Sequence, residues 1–173
     1  MNASTHLSPD EIRSLFAQAM SRMYRDEVPL YGALMELVSE VNAAALAADP
    51  SLAARLQRSD ALDRLDAERH GAIRVGTPRE LATLRRLFAV MGMAPVGYYD
   101  LAVAGVPVHA TAFRPVDAAA LARNPFRVFT SLLRLELIED AALREKAAAI
   151  LERREIFTPR ALELIERFEQ AGG

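Results

Sequence analysis

The sequence predicts an α+β fold, with N-terminal helices, one strand–helix–strand–strand–strand (βαβββ) module and C-terminal helices. Apolar residues recur at helical spacing in the first third, short apolar runs bounded by glycine or proline fill the middle, and two further helical segments follow. We place the boundaries at 1–66 for the helical region, 67–134 for the module and 135–173 for the closing helices.

The first region predicts three helices. The segment SPDE at residues 8–11 is a capping box, with serine at the cap and glutamate three residues later. A second helix is predicted from about Leu30 to Ala48, and the pair Asp49–Pro50 ends it because the residue before a proline avoids helical geometry. A shorter, more polar helix is predicted over 51–66. We interpret the apolar stripes of these helices as ordinary core.

The middle region predicts the module, and two helices close the chain. The predicted elements are a strand over 70–76, a helix that begins with the capping box TPRE at 77–80, strands over 95–103 and 106–114 joined by a turn at 104–105, a short helix over 117–122, a strand over 126–131, and closing helices over about 140–154 and 159–170. A single open sheet has strand edges and apolar positions that need covering. We therefore expect a second module, from a longer chain or a second copy.

The composition excludes several function classes. The 21 Lys and Arg residues nearly balance 23 Asp and Glu residues, whereas nucleic-acid binding draws most of its affinity from clustered positive charge. Cysteine is absent, which excludes thiolate catalysis and leaves His, Asp and Glu as metal ligands. No signal peptide and no apolar run of about 18 to 20 residues is present, so we expect a cytoplasmic protein with no membrane partner.

Two residues of the first strand are candidates for chemistry. His70 begins the strand and precedes small residues, which suits a metal ligand or a general base, or else a hydrogen-bonded histidine at a strand edge. Arg74 lies on the same face, roughly 13 Å further along. Its guanidinium can bind a carboxylate through two hydrogen bonds, although a surface pairing with Glu68 or Asp66 is the alternative.

The hairpin holds further candidates. His109 shares its face with Thr111 and is interpreted as a second metal ligand, a residue that hydrogen-bonds to a ligand, or a core histidine. Tyr98 and Tyr99 are adjacent, so one is expected on each face of the sheet.

Several stretches together resemble one known family. They are FAQAMS at 16–21, MYRDEVPLY at 23–31, ERHGAIRVGT at 68–77, MGM at 91–93, PVGYYDL at 95–101, VPVHATAFRP at 106–115 and NPFRVFTSLL at 124–133. The sequence resembles the bacterial 2-oxoadipate dioxygenase/decarboxylase family, which forms D-2-hydroxyglutarate in lysine breakdown.

The resemblance implies an Fe(II)-dependent relative of the vicinal oxygen chelate enzymes, which are built from paired βαβββ modules. It implies that His70 is one member of a two-histidine, one-carboxylate iron site and that Arg74 holds a substrate carboxylate. The 2-oxo dicarboxylic acid and O2 are the implied partners.

Members of that family are considerably longer, and their remaining ligands follow the part that this chain resembles. The first hypothesis is therefore the N-terminal portion of such an enzyme, completed by the remainder of a longer chain or by a second copy. The other hypotheses are a catalytically silent dicarboxylate-binding module and a small metal-dependent homodimer that shares ligands such as His109 or Glu136.

Overall fold

The computed structural model describes residues 7–59, 61–62, 65 and 70–171. The elements in chain order are α1 (Pro9–Glu27), α2 (Tyr31–Ala48), α3 (Pro50–Arg58), β1 (His70–Val75), α4 (Pro78–Val90), β2 (Ala94–Asp100), β3 (Val108–Arg114), α5 (Ala118–Arg123), β4 (Arg127–Leu133), α6 (Ala141–Glu152) and α7 (Pro159–Gln170). None of the helices within these ranges is long and apolar enough to cross a membrane.

The four described strands form one mixed sheet in the order β1-β4-β3-β2. β1 runs parallel to β4, whereas β3 is antiparallel to both β2 and β4. With α4 between β1 and β2, this is the predicted βαβββ module, so the predicted α+β class is confirmed.

The hairpin strands are shorter than predicted. β2 ends at Asp100 and β3 begins at Val108, because a 3-10 turn over Ala102–Ala104 occupies the loop. Gly105 follows this turn with φ of 76°, a left-handed conformation that glycine adopts without steric cost. The predicted third helix is also shorter and ends at Arg58, because Ser59 closes a turn by donating its backbone N–H to the carbonyl oxygen of Leu56.

Contacts divide the chain into two units, residues 14–69 and residues 1–13 with 70–173. In the second of these, α4 packs on one face of the sheet, which we call the covered face. The rings of Phe88 and Phe113 lie 4.9 Å apart there. Val75, Leu84 and Val128 are also buried in this unit.

In the unit of residues 14–69, the core interpretation fails for α2. No residue of this helix is buried, and its apolar stripe of Leu30, Leu34, Leu37 and Val41 is exposed. Helical periodicity identifies an apolar face, but it does not supply the element that covers that face, and the described residues put none there. In α1, Met20 of the predicted stripe is buried as expected, but Leu15 and Met23 of the same stripe are exposed.

Arg13 is a fully buried cation in the sheet-containing unit. Its guanidinium donates to the carbonyl oxygens of Met91 (2.7 Å), Ala120 (3.2 Å) and Asn124 (3.3 Å), and it pairs with Asp10. These carbonyls lie at or near the C-terminal ends of α4 and α5, where helix dipoles favour positive charge.

A buried carboxylate of α4, Glu80, pairs with Arg154, an exposed residue just after α6. The Glu80 carboxylate accepts from the backbone N–H of Gly76 (2.6 Å) and Thr77 (3.2 Å) and forms two hydrogen bonds with Arg154 (2.6 and 3.0 Å). Burial raises the pKa of the Glu80 carboxyl, but the bonds from Arg154 and the two amides outweigh burial and hold that pKa below its ordinary value.

Candidate functional site

The sheet face opposite α4 carries the predicted site residues. In β1, His70, Ala72 and Arg74 are exposed, whereas Gly71 and Val75 are buried. Strand alternation therefore puts His70 and Arg74 on one face, as predicted. We call it the open face and define it by the residues His70, Ala72, Arg74, Arg127, Phe129 and Ser131.

Three cross-strand rows make up the open face. His70 pairs in register with Arg127, and four residues along β1 Arg74 pairs with Ser131. Because neighbours in register point to the same side of a sheet, each pair stands side by side. The ladder is therefore polar and cationic at both ends.

The middle row is apolar and small. Ala72 is in register with Phe129, and Phe129 with Ala112 on β3. Ala112 pairs in turn with Gly97 on β2. No charged side chain lies in this row.

Tyr99 extends the open face to the edge strand. Its ring lies 6.2 Å from that of Phe129, and a Cβ atom at Gly97 would lie 3.0 Å from its hydroxyl. Glycine at 97 thus leaves room for the tyrosine. Tyr98 lies on the other face, where its ring meets His109 edge-on, so the two tyrosines face opposite sides as expected.

The structure does not bring His109 together with His70. His109 is in register with Leu132, which in turn is in register with Val75 on the covered face. It contacts the hydroxyl of Tyr98 and the guanidinium of Arg134, and its Nε2 lies 3.3 Å from a carboxylate oxygen of Asp100.

Glu136 belongs to the same cluster as His109. Its carboxylate pairs with Arg134, and that hydrogen bond lowers the pKa of the Glu136 carboxyl. Within one copy of the chain, neither His109 nor Glu136 therefore stands beside His70 on the open face.

His70 is one candidate metal ligand, and the described residues around it do not form a complete metal site. An exposed imidazole at the start of β1 has the donor atoms of a transition-metal ligand. Across residues 7–59, 61–62, 65 and 70–171, however, no group of three His, Cys, Asp or Glu side chains is arranged to hold a metal ion. The pairing of Arg74 with Asp66 or Glu68 lies outside the described residues.

Sequence reasoning did not single out Arg127, which the structure places on the open face beside His70. Its only signal is its position four residues before Ser131 in a predicted strand. Its place beside His70 depends on the parallel pairing of β1 with β4, which sequence alternation within one strand does not give.

Comparison with known proteins identifies close relatives. A sequence profile of the family described as 2-oxoadipate dioxygenase/decarboxylase matches residues 16–173. The protein of that name from Escherichia coli K12 is 65% identical over 167 residues, which are 96% of this chain and 37% of the relative. Its counterpart from Pseudomonas putida is 62% identical over 173 residues, which are 100% of this chain and 37% of the relative. The chain thus spans well under half the length of these relatives.

Solved structures agree with this similarity. The hydroxyglutarate synthase from Pseudomonas putida in complex with 2-oxoadipate has a TM-score of 0.91 and 62% sequence identity, covering 99% of this chain and 38% of that chain. A protein described as a glyoxalase superfamily member, from Ralstonia eutropha, has a TM-score of 0.58 and 18% identity over 98% of this chain and 47% of that chain. The second likeness concerns the fold alone.

Proposed function

Because the chain belongs to the 2-oxoadipate dioxygenase/decarboxylase family, we propose that it is the part of such an enzyme that supplies one metal ligand and binds the substrate. The proposed reaction converts 2-oxoadipate and O2 to D-2-hydroxyglutarate and CO2 in lysine breakdown. All the atoms of O2 and the 2-oxo acid are retained in these two products. The observation that carries the proposal is the exposure of His70 and Arg74 on one sheet face, with uncharged Ala72 between them.

His70 is proposed as one Fe(II) ligand, through an imidazole nitrogen. Fe(II), when bound, supplies the redox chemistry that O2 requires and polarises the 2-oxo acid. The described residues of one copy contain no three-ligand group, so the other ligands are proposed to come from the remainder of a longer chain or from a second copy.

Arg74 is proposed to bind the distal carboxylate of the substrate. A guanidinium presents two parallel N–H donors that match a carboxylate. Ala72, which lies between Arg74 and His70 along β1, exposes only a methyl group and suits the methylene chain of 2-oxoadipate. Arg74 would thus orient the substrate so that its 2-oxo end lies at His70.

A silent dicarboxylate-binding module is the second candidate. The observation that favours it is the lack of a complete metal-ligand group among the described residues, while Arg74 is exposed on the open face. The shared-ligand homodimer gains no such support, since His109 and Glu136 belong to a cluster that includes no residue of the open face.

The test joins this chain to the downstream portion of the Pseudomonas putida relative; we call the product the joined protein. With Fe(II) and 2-oxoadipate, we expect it to consume O2 and release CO2. His70→Ala should abolish both, whereas the matched variant His109→Ala should retain them. O2 consumption that survives in a folded His70→Ala protein would contradict the ligand assignment.

The 173-residue chain by itself separates the candidates. A silent module predicts that it binds 2-oxoadipate without metal and that Arg74→Gln abolishes the binding, while the joined protein consumes no O2. An iron enzyme predicts O2 consumption by the joined protein only. A homodimer predicts that the chain alone consumes O2 with Fe(II) and sediments as a dimer.

A further inference from the structure

Arg127 is the charged residue of the open face to which neither the sequence analysis nor the proposed function assigns a role. It is exposed, and its backbone is in register with that of His70 on the neighbouring parallel strand. Among the residues that the structure describes, no carboxylate forms an ion pair with it. A cation therefore stands directly beside the proposed metal ligand.

Arg127 is exposed although its strand lies inside the sheet. β4 lies between β1 and β3, so Arg127 stands on an interior strand rather than on an edge. The next residues on the same side of β4 are Phe129 and Ser131, both only half exposed. The exposed guanidinium of Arg127 is therefore accessible to an anionic partner, which it can bind through two parallel hydrogen bonds.

Arg127 and Arg74 occupy opposite ends of the ladder between β1 and β4. Arg127 is in the row of His70, and Arg74 is in the row of Ser131, two rows further along. The row between them contains Ala72 and Phe129. The open face thus presents a cation, an apolar row and a second cation in this order. A ligand with an anionic group at each end of a methylene chain would complement this order.

We infer that Arg127 is a second carboxylate-binding residue, which holds the carboxylate beside the keto group of a 2-oxo dicarboxylic acid while Arg74 holds the distal one. This inference rests on the proposed function, because it takes the direction of the substrate from His70 and Arg74. It adds that this chain recognises both carboxylates through its own side chains.

Arg127 also neutralises charge where the proposed metal ligand stands. A 2-oxo dicarboxylate carries two negative charges, and a guanidinium on one of them lowers the cost of taking that group out of water. The role is binding and orientation of the carboxylate, with no proton transferred by Arg127.

The test compares two ligands that differ at one end. 2-Oxoadipate has two carboxylates. 2-Oxohexanoate has a chain of the same six carbons but ends in a methyl group in place of the distal carboxylate. Dissociation constants of both are measured by titration calorimetry on the metal-free joined protein, so the readout does not depend on turnover. The variants are Arg127→Gln, Arg127→Lys and Arg74→Gln. Arg85→Gln on α4 is the matched control, because Arg85 is an exposed arginine outside the open face.

The expected pattern separates the two arginines. Arg127→Gln should weaken both ligands by similar factors, about tenfold each, as expected for the loss of a charged hydrogen bond. Arg74→Gln should weaken 2-oxoadipate alone and remove the preference for it over 2-oxohexanoate. Arg127→Lys should restore part of the loss, and Arg85→Gln should change neither affinity.

Two results would overturn the inference while leaving the proposed function in place. In the first, Arg127→Gln binds both ligands as the unmodified protein does, although Arg74→Gln abolishes the dicarboxylate preference. In the second, Arg127→Gln also abolishes the preference for 2-oxoadipate over 2-oxohexanoate, which would mean that Arg127 binds the distal carboxylate. If the unmodified protein shows no preference for 2-oxoadipate, the role of Arg74 fails and the inference fails with it.

Discussion

Charged side chains on the two sides of the sheet differ in their burial and in their number of partners. On the side of α4, each buried charged group has several partners: Arg13 meets three carbonyl oxygens and Asp10, and Glu80 meets two amides and Arg154. On the open face, His70, Arg74 and Arg127 are exposed, and we propose that their arrangement binds a dicarboxylic acid.

This difference predicts that the buried charges contribute to stability and that the exposed charges contribute to ligand binding. Buried charges are tolerated only with partners, and removing one partner leaves the other desolvated and unsatisfied. Exposed charges cost little to change, so selection can retain them for what they bind. Substitutions on the covered side should therefore alter folding, whereas those on the open face should alter ligand binding.

The largest expected effect comes from Arg13. Arg13→Met removes a fully buried guanidinium and leaves the carbonyls of Met91, Ala120 and Asn124 without this donor. We expect the free energy of unfolding to fall by about 3 kcal/mol, measured by urea denaturation. Arg22→Met, at an exposed position of the same helix, is the control and should change it by less than about 0.5 kcal/mol. Equal effects would contradict the assigned role.

Glu80 should give the next largest effect, and a dependence on pH. Glu80→Gln should lower the free energy of unfolding at pH 7 by about 2 kcal/mol, because hydrogen bonds to a charged group are lost. Since its pKa is lowered in the folded protein, the carboxylate's contribution is complete above the ordinary glutamate pKa of 4.5 and is lost as pH falls through the lowered value.

The pH experiment follows from that sign. Urea midpoints are measured from pH 7 down to pH 3 for the unmodified chain and for Glu80→Gln. The two should converge in acid. The control is Glu163→Gln, because Glu163 forms an ion pair with Arg160 in which both side chains are exposed. A constant difference at every pH would rule out the charge of Glu80 as the cause.

His109 should give a smaller effect. His109→Ala removes contacts with Tyr98 and Arg134 in a half-buried cluster, and we expect a loss of about 1 kcal/mol in the free energy of unfolding. O2 consumption by the joined protein should persist. Activity lost at unchanged stability would instead connect His109 with the open face.

The smallest effect on stability is expected for the open-face arginines. Arg74→Gln and Arg127→Gln should each change the free energy of unfolding by less than about 0.5 kcal/mol, since both side chains are exposed. Urea denaturation checks this on the same samples used for calorimetry. A loss comparable with that of Glu80→Gln would mean that these cations support the fold.

Local patterns predicted most of the fold and part of the site. The capping box at Thr77 and Glu80 is present as expected, and period-two alternation correctly put His70 and Arg74 on one face. What failed depends on partners distant in the chain. The α2 stripe was interpreted as core although nothing among the described residues covers it.

Arg13 and Arg127 show the same limit at single residues. Arg13 lies in an amphipathic helix, and only the helix ends that meet it in three dimensions explain its burial. Arg127 is adjacent to His70 because two strands far apart in sequence pair in parallel. Registers of that kind are set by tertiary packing and not by alternation within one strand.

The most direct test measures O2 consumption and the urea midpoint on the same preparation of the joined protein and of its His70→Ala variant. If the open face serves binding and not stability, the His70→Ala variant loses O2 consumption with Fe(II) and 2-oxoadipate, while its urea midpoint equals that of the joined protein. Consumption that persists, or a midpoint that falls as it does for Arg13→Met, would contradict it.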